Sequence, residues 1–290
     1  MSIFLQLLVN GLIASSLYAL LAGGFSLIHS VTKTLHFAHG AVFTSAAYAT
    51  FLLTDKFGLN FFLAIIFALI FSTFLGLIID KLVYQPFRNR KASLATLLIV
   101  SLVLLTILNA VFLAIFGSSA KILSISSGQS AFDIFARITA TQIAAIITSL
   151  VLIIGLFIIL KRTKIGKALR ATADNPSAAQ IVGISPNVTF SIAFLIGSFL
   201  ASVAGILAGT ELNIYPEMGS TFVVKAFTAS VIGGIGSVPG AVLGALFLGT
   251  AENFGIWFLP SGFKDTIAFG LLFFFLLARP QGIFGVKDGA

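Results

Sequence analysis

Long apolar runs separated by short polar breaks dominate the chain, and polar positions seldom interrupt a run. The runs cover residues 3–28, 35–53, 61–79, 94–116, 141–160, 188–208, 222–235, 241–254 and 263–277. About 20 apolar residues in a helix match the roughly 30 Å hydrocarbon core of a bilayer. Barrel strands would alternate apolar and polar positions over about 10 residues, and these runs are continuous. The pattern predicts an all-α polytopic membrane protein with about eight transmembrane helices, within a range of about seven to nine. Runs 222–235 and 241–254 hold only about 14 residues each. With glycine and proline between them, they read as a Gly-broken half-helix pair near the C-terminus: a re-entrant hairpin or two tilted half-spans.

Composition agrees: 58% of residues are hydrophobic and 9% charged, with a mean hydropathy of +1.12. A soluble monomer does not expose apolar surface on that scale. The net charge of +8 would suit nucleic acid on a soluble chain. Here the basic residues collect in alternate loops, as the positive-inside rule requires. Lys81, Arg88, Arg90 and Lys91 fall in one such loop, Lys161, Arg162, Lys164, Lys167 and Arg170 in the next, and Arg279 and Lys287 in the tail. The intervening loops carry little more than Lys121, Arg137, Glu211 and Glu217. This asymmetry predicts an N-terminus outside and a C-terminus in the cytoplasm.

The first run lacks a basic leader and a cleavage site and reads as a retained span. With no cysteine, disulfides, thiolate metal sites and cysteine catalysis are excluded. No phosphate-binding loop with its following Lys and Ser or Thr is present, and no loop is long enough for a soluble domain. Residues 1–290 are therefore expected to form a single transmembrane domain, and whatever drives it would lie on another chain or be an ion gradient.

The densest polar stretch, residues 161–187, has internal order. Asp174-Asn175-Pro176 stops one helix and starts another: Asn175 suits the N-cap, and Pro176 the first helical position. Gly183 suits the residue after the helix end. Residues 176–182 thus read as a helix about 10 Å long, with Ala178, Ala179, Ile181 and Val182 as its small and apolar side chains. A helix this short is not stable alone in water, so its sharp ends suggest packing on something. A solvated loop held to lipid headgroups is the competing reading.

Here the residues carry a resemblance. Ala178-Ala179-x-x-x-Gly183 resembles the cytoplasmic loop by which permeases of binding-protein-dependent ABC importers grip their ATPase. "LRATADNPSAAQIVGI" is similar to that loop in the branched-chain amino acid permease family, with Ser177 where an acidic residue is usual. Asn10-Gly11-Leu12, Tyr18-Ala19-Leu20 and Phe37-Ala38-His39-Gly40 resemble the same family. His36 stands there for an expected asparagine, and His29-Ser30 for tyrosine-glycine. "ASVIGGIGSVPGAVLGALFLGTAENFG" is a third similar segment.

The resemblance implies an ABC-importer permease subunit for branched-chain, hydrophobic amino acids in the bacterial inner membrane. Its partners would be a second permease subunit, identical or different, two ATPase subunits carrying ATP and Mg, and a periplasmic or extracellular solute-binding protein. This chain would bind no cofactor itself, and residues 161–187 would couple it to the ATPases. A urea or short-amide permease is the alternative within the class; an ion-coupled secondary transporter lies outside it.

Glycine breaks at membrane depth persist where backbone lines a cavity or is buried in protein. Gly233, Gly234 and Gly236 are therefore candidates for the translocation path, with His39, Gly40, Glu252 and Asn253. Close packing is the competing reading of the glycines. The three histidines fall within eleven residues, but no nearby carboxylate supports a metal site. An ionisable residue inside a span faces a bundle interior or an aqueous path. Glu252 is thus open to a substrate ammonium, a cation such as Lys225, or the outer interface. Glu211, Tyr215 and Glu217 in the outer loop are candidates for docking the binding protein through complementary charge.

Overall fold

In the computed structural model, described for residues 3–123, 131–133 and 137–284, helices account for nearly all of the chain. Lys287 lies outside the described residues. Among the described residues, six helices are long and apolar enough to cross a membrane, or seven with one bent pair counted as a single span.

The chain starts with α1 (Ile3–Thr32), buried without a break from Ser15 to Ile28. It is the hub against which α6 (Ala140–Arg162), α9 (Pro186–Glu211), α10 (Met218–Gly233) and α11 (Val238–Gly255) pack. Small residues make this possible, because backbones approach closely only where side chains are short. A Cβ on Gly24 would meet the Gly197 carbonyl on α9, and one on Gly249 would collide with Ser15.

α1 ends at Lys33, whose φ of +58° breaks the helix. Residues 34–38 are non-helical, and α2 begins only at His39 (His39–Phe51). The expected span 35–53 is thus a shorter helix preceded by irregular backbone. Thr34, His36 and Ala38 of that segment are buried, and the Ala38 N–H donates to Ser101 Oγ at 3.2 Å. Irregular backbone at membrane depth is tolerated on those terms.

α3 (Phe61–Ile79), a π-helical turn over Asp80–Tyr84 and α4 (Gln85–Asn89) run on as one span, Phe61–Asn89. The π turn points Asp80 and Tyr84 inward. There Asp80 pairs with Arg88 at 2.6 Å and accepts from Ser191 at 2.7 Å. α5 (Leu94–Phe116) is capped by Ser93 and ends at Gly117. A two-stranded antiparallel pair of β1 (Ala131–Asp133) and β2 (Arg137–Thr139) then leads into α6, which opens on a Thr139–Gln142 capping box. α12 (Lys264–Ala278) is the last span and the least buried.

Rows of exposed Phe, Leu and Ile on α3, α5, α6 and α12 form the surface that meets lipid. The polar ends segregate. At the end where α1 starts, Gln6 exchanges two hydrogen bonds with the Arg137 backbone, and Lys121 bridges Ile214. At the opposite end lie the finish of α1, the α10–α11 turn, α7 (Lys164–Asp174) and α8 (Pro176–Ile181). Most of the basic residues cluster there too.

Candidate functional sites

The basic loop folds as two short helices that meet at Asn175. Thr163 caps α7 by accepting from the Gly166 N–H at 3.0 Å, and a Cβ at Gly166 would strike the Ile159 and Leu160 carbonyls. The Arg170 guanidinium donates to the Leu160 carbonyl. Thr172 reaches Thr189 on α9 at 3.3 Å, so α7 is fixed to the membrane bundle.

α8 follows as its cap residues dictate. Asn175 Oδ1 accepts from the Ala178 N–H at 3.0 Å, and Pro176 occupies the first turn. The helix stops at Ile181, one residue short of the expected 182, where Val182 leaves helical geometry. Gly183 then takes a φ of +84°, while the Ile184 N–H closes on the Ala179 carbonyl at 3.0 Å. Ala179 is the one buried residue of α8; Ile181 is 87% and Val182 73% exposed. Ala178 and Ser177 are exposed as well. Two aliphatic side chains at the tip of a basic loop have no partner within the described residues, and water alone does not favour that arrangement.

A cleft of about 350 Å³ separates α7 from the turn of the broken pair, lined by Arg170, Asp174, Ser30 and residues 236–239. The pair itself is a hairpin: α10 and α11 meet at 113°. Gly234 (φ +110°) and Gly236 (φ +86°) make the turn, and Ser237 caps α11 through the Gly240 N–H at 3.2 Å. The Gly233 and Gly240 backbones lie so close that a Cβ on either would collide with the other. The chain returns to this point after α12, where Ile283 and Phe284 donate to the Ile232 and Gly233 carbonyls at 2.9 and 3.0 Å. Gly233 and Gly234 are buried in protein, and Gly236 borders the cleft.

His36 and His39 are fully buried with ring centroids 5.5 Å apart. His36 Nδ1 sits 2.8 Å from the Tyr84 hydroxyl, and His39 lies against Gly24. Gly40 packs on Gly219 of α10. His29 is only partly buried, near Gly236. No group of metal-binding residues occurs among the described residues.

Glu252 is 1% exposed and faces Lys225 at 3.2 Å. Of the three sequence readings, the cation is the neighbour observed. Tyr18 donates to Glu252 at 2.8 Å, and Lys225 donates to Tyr18 at 3.1 Å. Lys225 also pairs with Asp265, on the first turn of α12, at 2.9 Å. Asn253 donates to the Gly249 carbonyl and accepts from Lys264 at 3.3 Å. One polar cluster, buried at Glu252 and open at Asp265, therefore joins α1, α10, α11 and α12. The sequence reading missed Asp265 and Tyr18. Asp265 gave one usable signal, a carboxylate in the first turn of an otherwise apolar span.

In the loop between α9 and α10, Glu211 is held by the Thr141 hydroxyl and by Gln142 at 3.0 Å, whereas Tyr215 and Glu217 are exposed. Asn109 reaches Ser220, at the start of α10, at 2.8 Å.

Six or seven long apolar helices, packed through glycine and joined by a Lys–Glu–Asp cluster, define a polytopic membrane protein. Residues 7–277 match the family described as branched-chain amino acid transport system, permease component. The high-affinity branched-chain amino acid transport system permease protein BraD of Pseudomonas aeruginosa is 35% identical over 97% of this chain and 96% of its own length. Its counterpart LivH of Escherichia coli is 32% identical over the same shares, 97% and 96%. In fold the chain is similar to PsaBC from Streptococcus pneumoniae in complex with Fab, with a TM-score of 0.53 across 94% of this chain and 92% of that one, at 14% identity. The chain belongs to the branched-chain amino acid permease-component family, and is a transport subunit rather than an enzyme.

Proposed function

We propose that this chain forms the translocation path of an ABC importer for branched-chain amino acids, driven by separate ATPase subunits. The observation that carries the reading is the family match along nearly the whole chain, with relatives of that named activity. The exposed Ile181 and Val182 supply the contact such a machine needs. In this reading the basic end faces the cytoplasm, ATP and Mg reside on the ATPases, and α8 seats in an ATPase groove. A second permease subunit completes the path. At the other end, Tyr215 and Glu217 receive an external solute-binding protein, with Glu211 bracing the loop. ATPase closure moves α8, and α7 carries the motion to the α10–α11 turn as a rigid-body shift.

The test is purification from native membranes followed by uptake in proteoliposomes. An ATPase copurifies, and ATP drives uptake of leucine, isoleucine or valine. Uptake of urea or short amides instead would move the substrate class, and transport on an ion gradient with no ATPase would overturn the reading.

A further inference from the structure

A cleft of about 310 Å³ opens between α10 and α12 beside the ion cluster. Its volume falls at the lower end of the roughly 300–1,000 Å³ that small-molecule sites occupy. Its polar wall presents Lys225 and Asp265 with the hydroxyls of Ser220, Thr221 and Thr228; its apolar wall is Val224, Ala268 and Phe269. Polar groups facing lipid are costly, and ionisable residues in spans mark aqueous or substrate paths. Hydroxyls on α10 and an exposed carboxylate on α12 are therefore placed for an aqueous ligand.

Lys225 stands between two carboxylates, Glu252 at 3.2 Å and Asp265 at 2.9 Å, while Lys264 is engaged by Asn253 at 3.3 Å. Glu252 is sealed in with Tyr18, but Asp265 keeps 57% of its side chain exposed. A ligand that brings one cation and one anion can part the Lys225–Asp265 pair and satisfy both ends without changing the net charge.

We propose that this cleft is the permease's own site for an amino acid zwitterion: Lys225 takes the α-carboxylate, Asp265 the α-ammonium, and Val224, Ala268 and Phe269 the aliphatic side chain. Tyr18 and Glu252 are positioning residues that hold the ammonium of Lys225 at the cleft wall. The site rests on the reading of the chain as an amino acid permease.

The chain has no cysteine, so Val224→Cys places a single thiol of this subunit in the cleft; Thr221→Cys serves if that variant does not assemble. The full complex in proteoliposomes is treated with a membrane-impermeant thiol reagent, and labelling of this subunit's band is timed. L-leucine at about three times its Kd slows labelling about fourfold by mass action. The 2-oxo acid of leucine, which lacks the ammonium, and 3-methylbutylamine, which lacks the carboxylate, do not. With Asp265→Asn added, protection by L-leucine is lost while the subunits still copurify. Labelling at one rate with and without millimolar L-leucine, in a complex whose parent transports leucine, overturns the site and leaves the proposed function standing. A parent complex that takes up no branched-chain amino acid overturns both.

Discussion

The α10–α11 hairpin and α12 lie side by side yet are held by different physics. The hairpin is joined by backbone contact: Gly233 on Gly240, and Gly244 on the Ala229 carbonyl. Lipid tails are as apolar as leucine, so burial alone gives little preference for protein over lipid, and close approach through small residues does the work. α12 has Ala268 as its one buried residue. It is tied instead by Lys225–Asp265, by Lys264–Asn253, and by the tail that returns to the hairpin turn. A surface fixed by van der Waals contact is bistable rather than deformable, whereas one fixed by a few polar ties can be released by exchanging those ties.

The largest expected break is a side chain at the suture. Gly233→Leu places carbon into the Gly240 carbonyl; overpacking of this kind costs about 3 kcal/mol or more. The variant should be lost from the monodisperse fraction after detergent extraction. Gly270→Ala on α12, where a Cβ meets nothing within 4 Å, should extract like the parent, with a stability change of about 1 kcal/mol or less in the favourable direction. If both glycines tolerate substitution equally, the contrast between the two regions fails.

Next in size is Lys225→Met, which leaves Glu252 buried without its cation. Removing one partner of a buried pair costs about 3–5 kcal/mol. The thermal midpoint of the purified complex should fall, and Lys225→Met with Glu252→Gln should recover much of the loss. Asp265→Asn is a smaller change, about 1 kcal/mol or less, because its pair is half exposed. A double-mutant cycle on Lys225 with each carboxylate should therefore give the larger coupling to Glu252.

The smallest effects on stability, though not on function, belong to α8. Asn175→Ala removes the bond to the Ala178 N–H and should cost about 1 kcal/mol of local stability, read as faster amide exchange at Ala178. Ile181→Ser, at a residue 87% exposed, should leave the midpoint of the isolated subunit within about 0.5 kcal/mol. It should weaken ATPase copurification. Unchanged ATPase retention would remove Ile181 from that contact.

Span boundaries were readable because hydropathy and cap chemistry are local. The runs 61–79 and 94–116 coincide with α3 and α5, and the Asn175, Pro176 and Gly183 signals delimit α8 to within one residue. The start of α2 was not readable: residues 35–38 continue an apolar run, and the partners that satisfy their irregular backbone, among them Ser101 on α5, are distant or local contacts that hydropathy does not register. The π turn at Asp80–Tyr84 was equally silent; it accompanies contacts of Asp80 with Arg88 and with Ser191, the latter 111 residues away in sequence.

By itself, then, the sequence determined that the chain spans a membrane many times, where α8 is capped, which loops carry the positive charge and where glycine breaks the α10–α11 pair. Those properties depend on neighbours within a few residues and on the solvent. Tertiary structure alone decided which helices touch, and that Lys225 meets Asp265 and Tyr18 besides the Glu252 its position had suggested. In a bilayer a lipid-facing surface and a protein-facing surface are both apolar. Periodicity therefore marks no inner face, and the partners of a buried charge appear only when the helices are assembled.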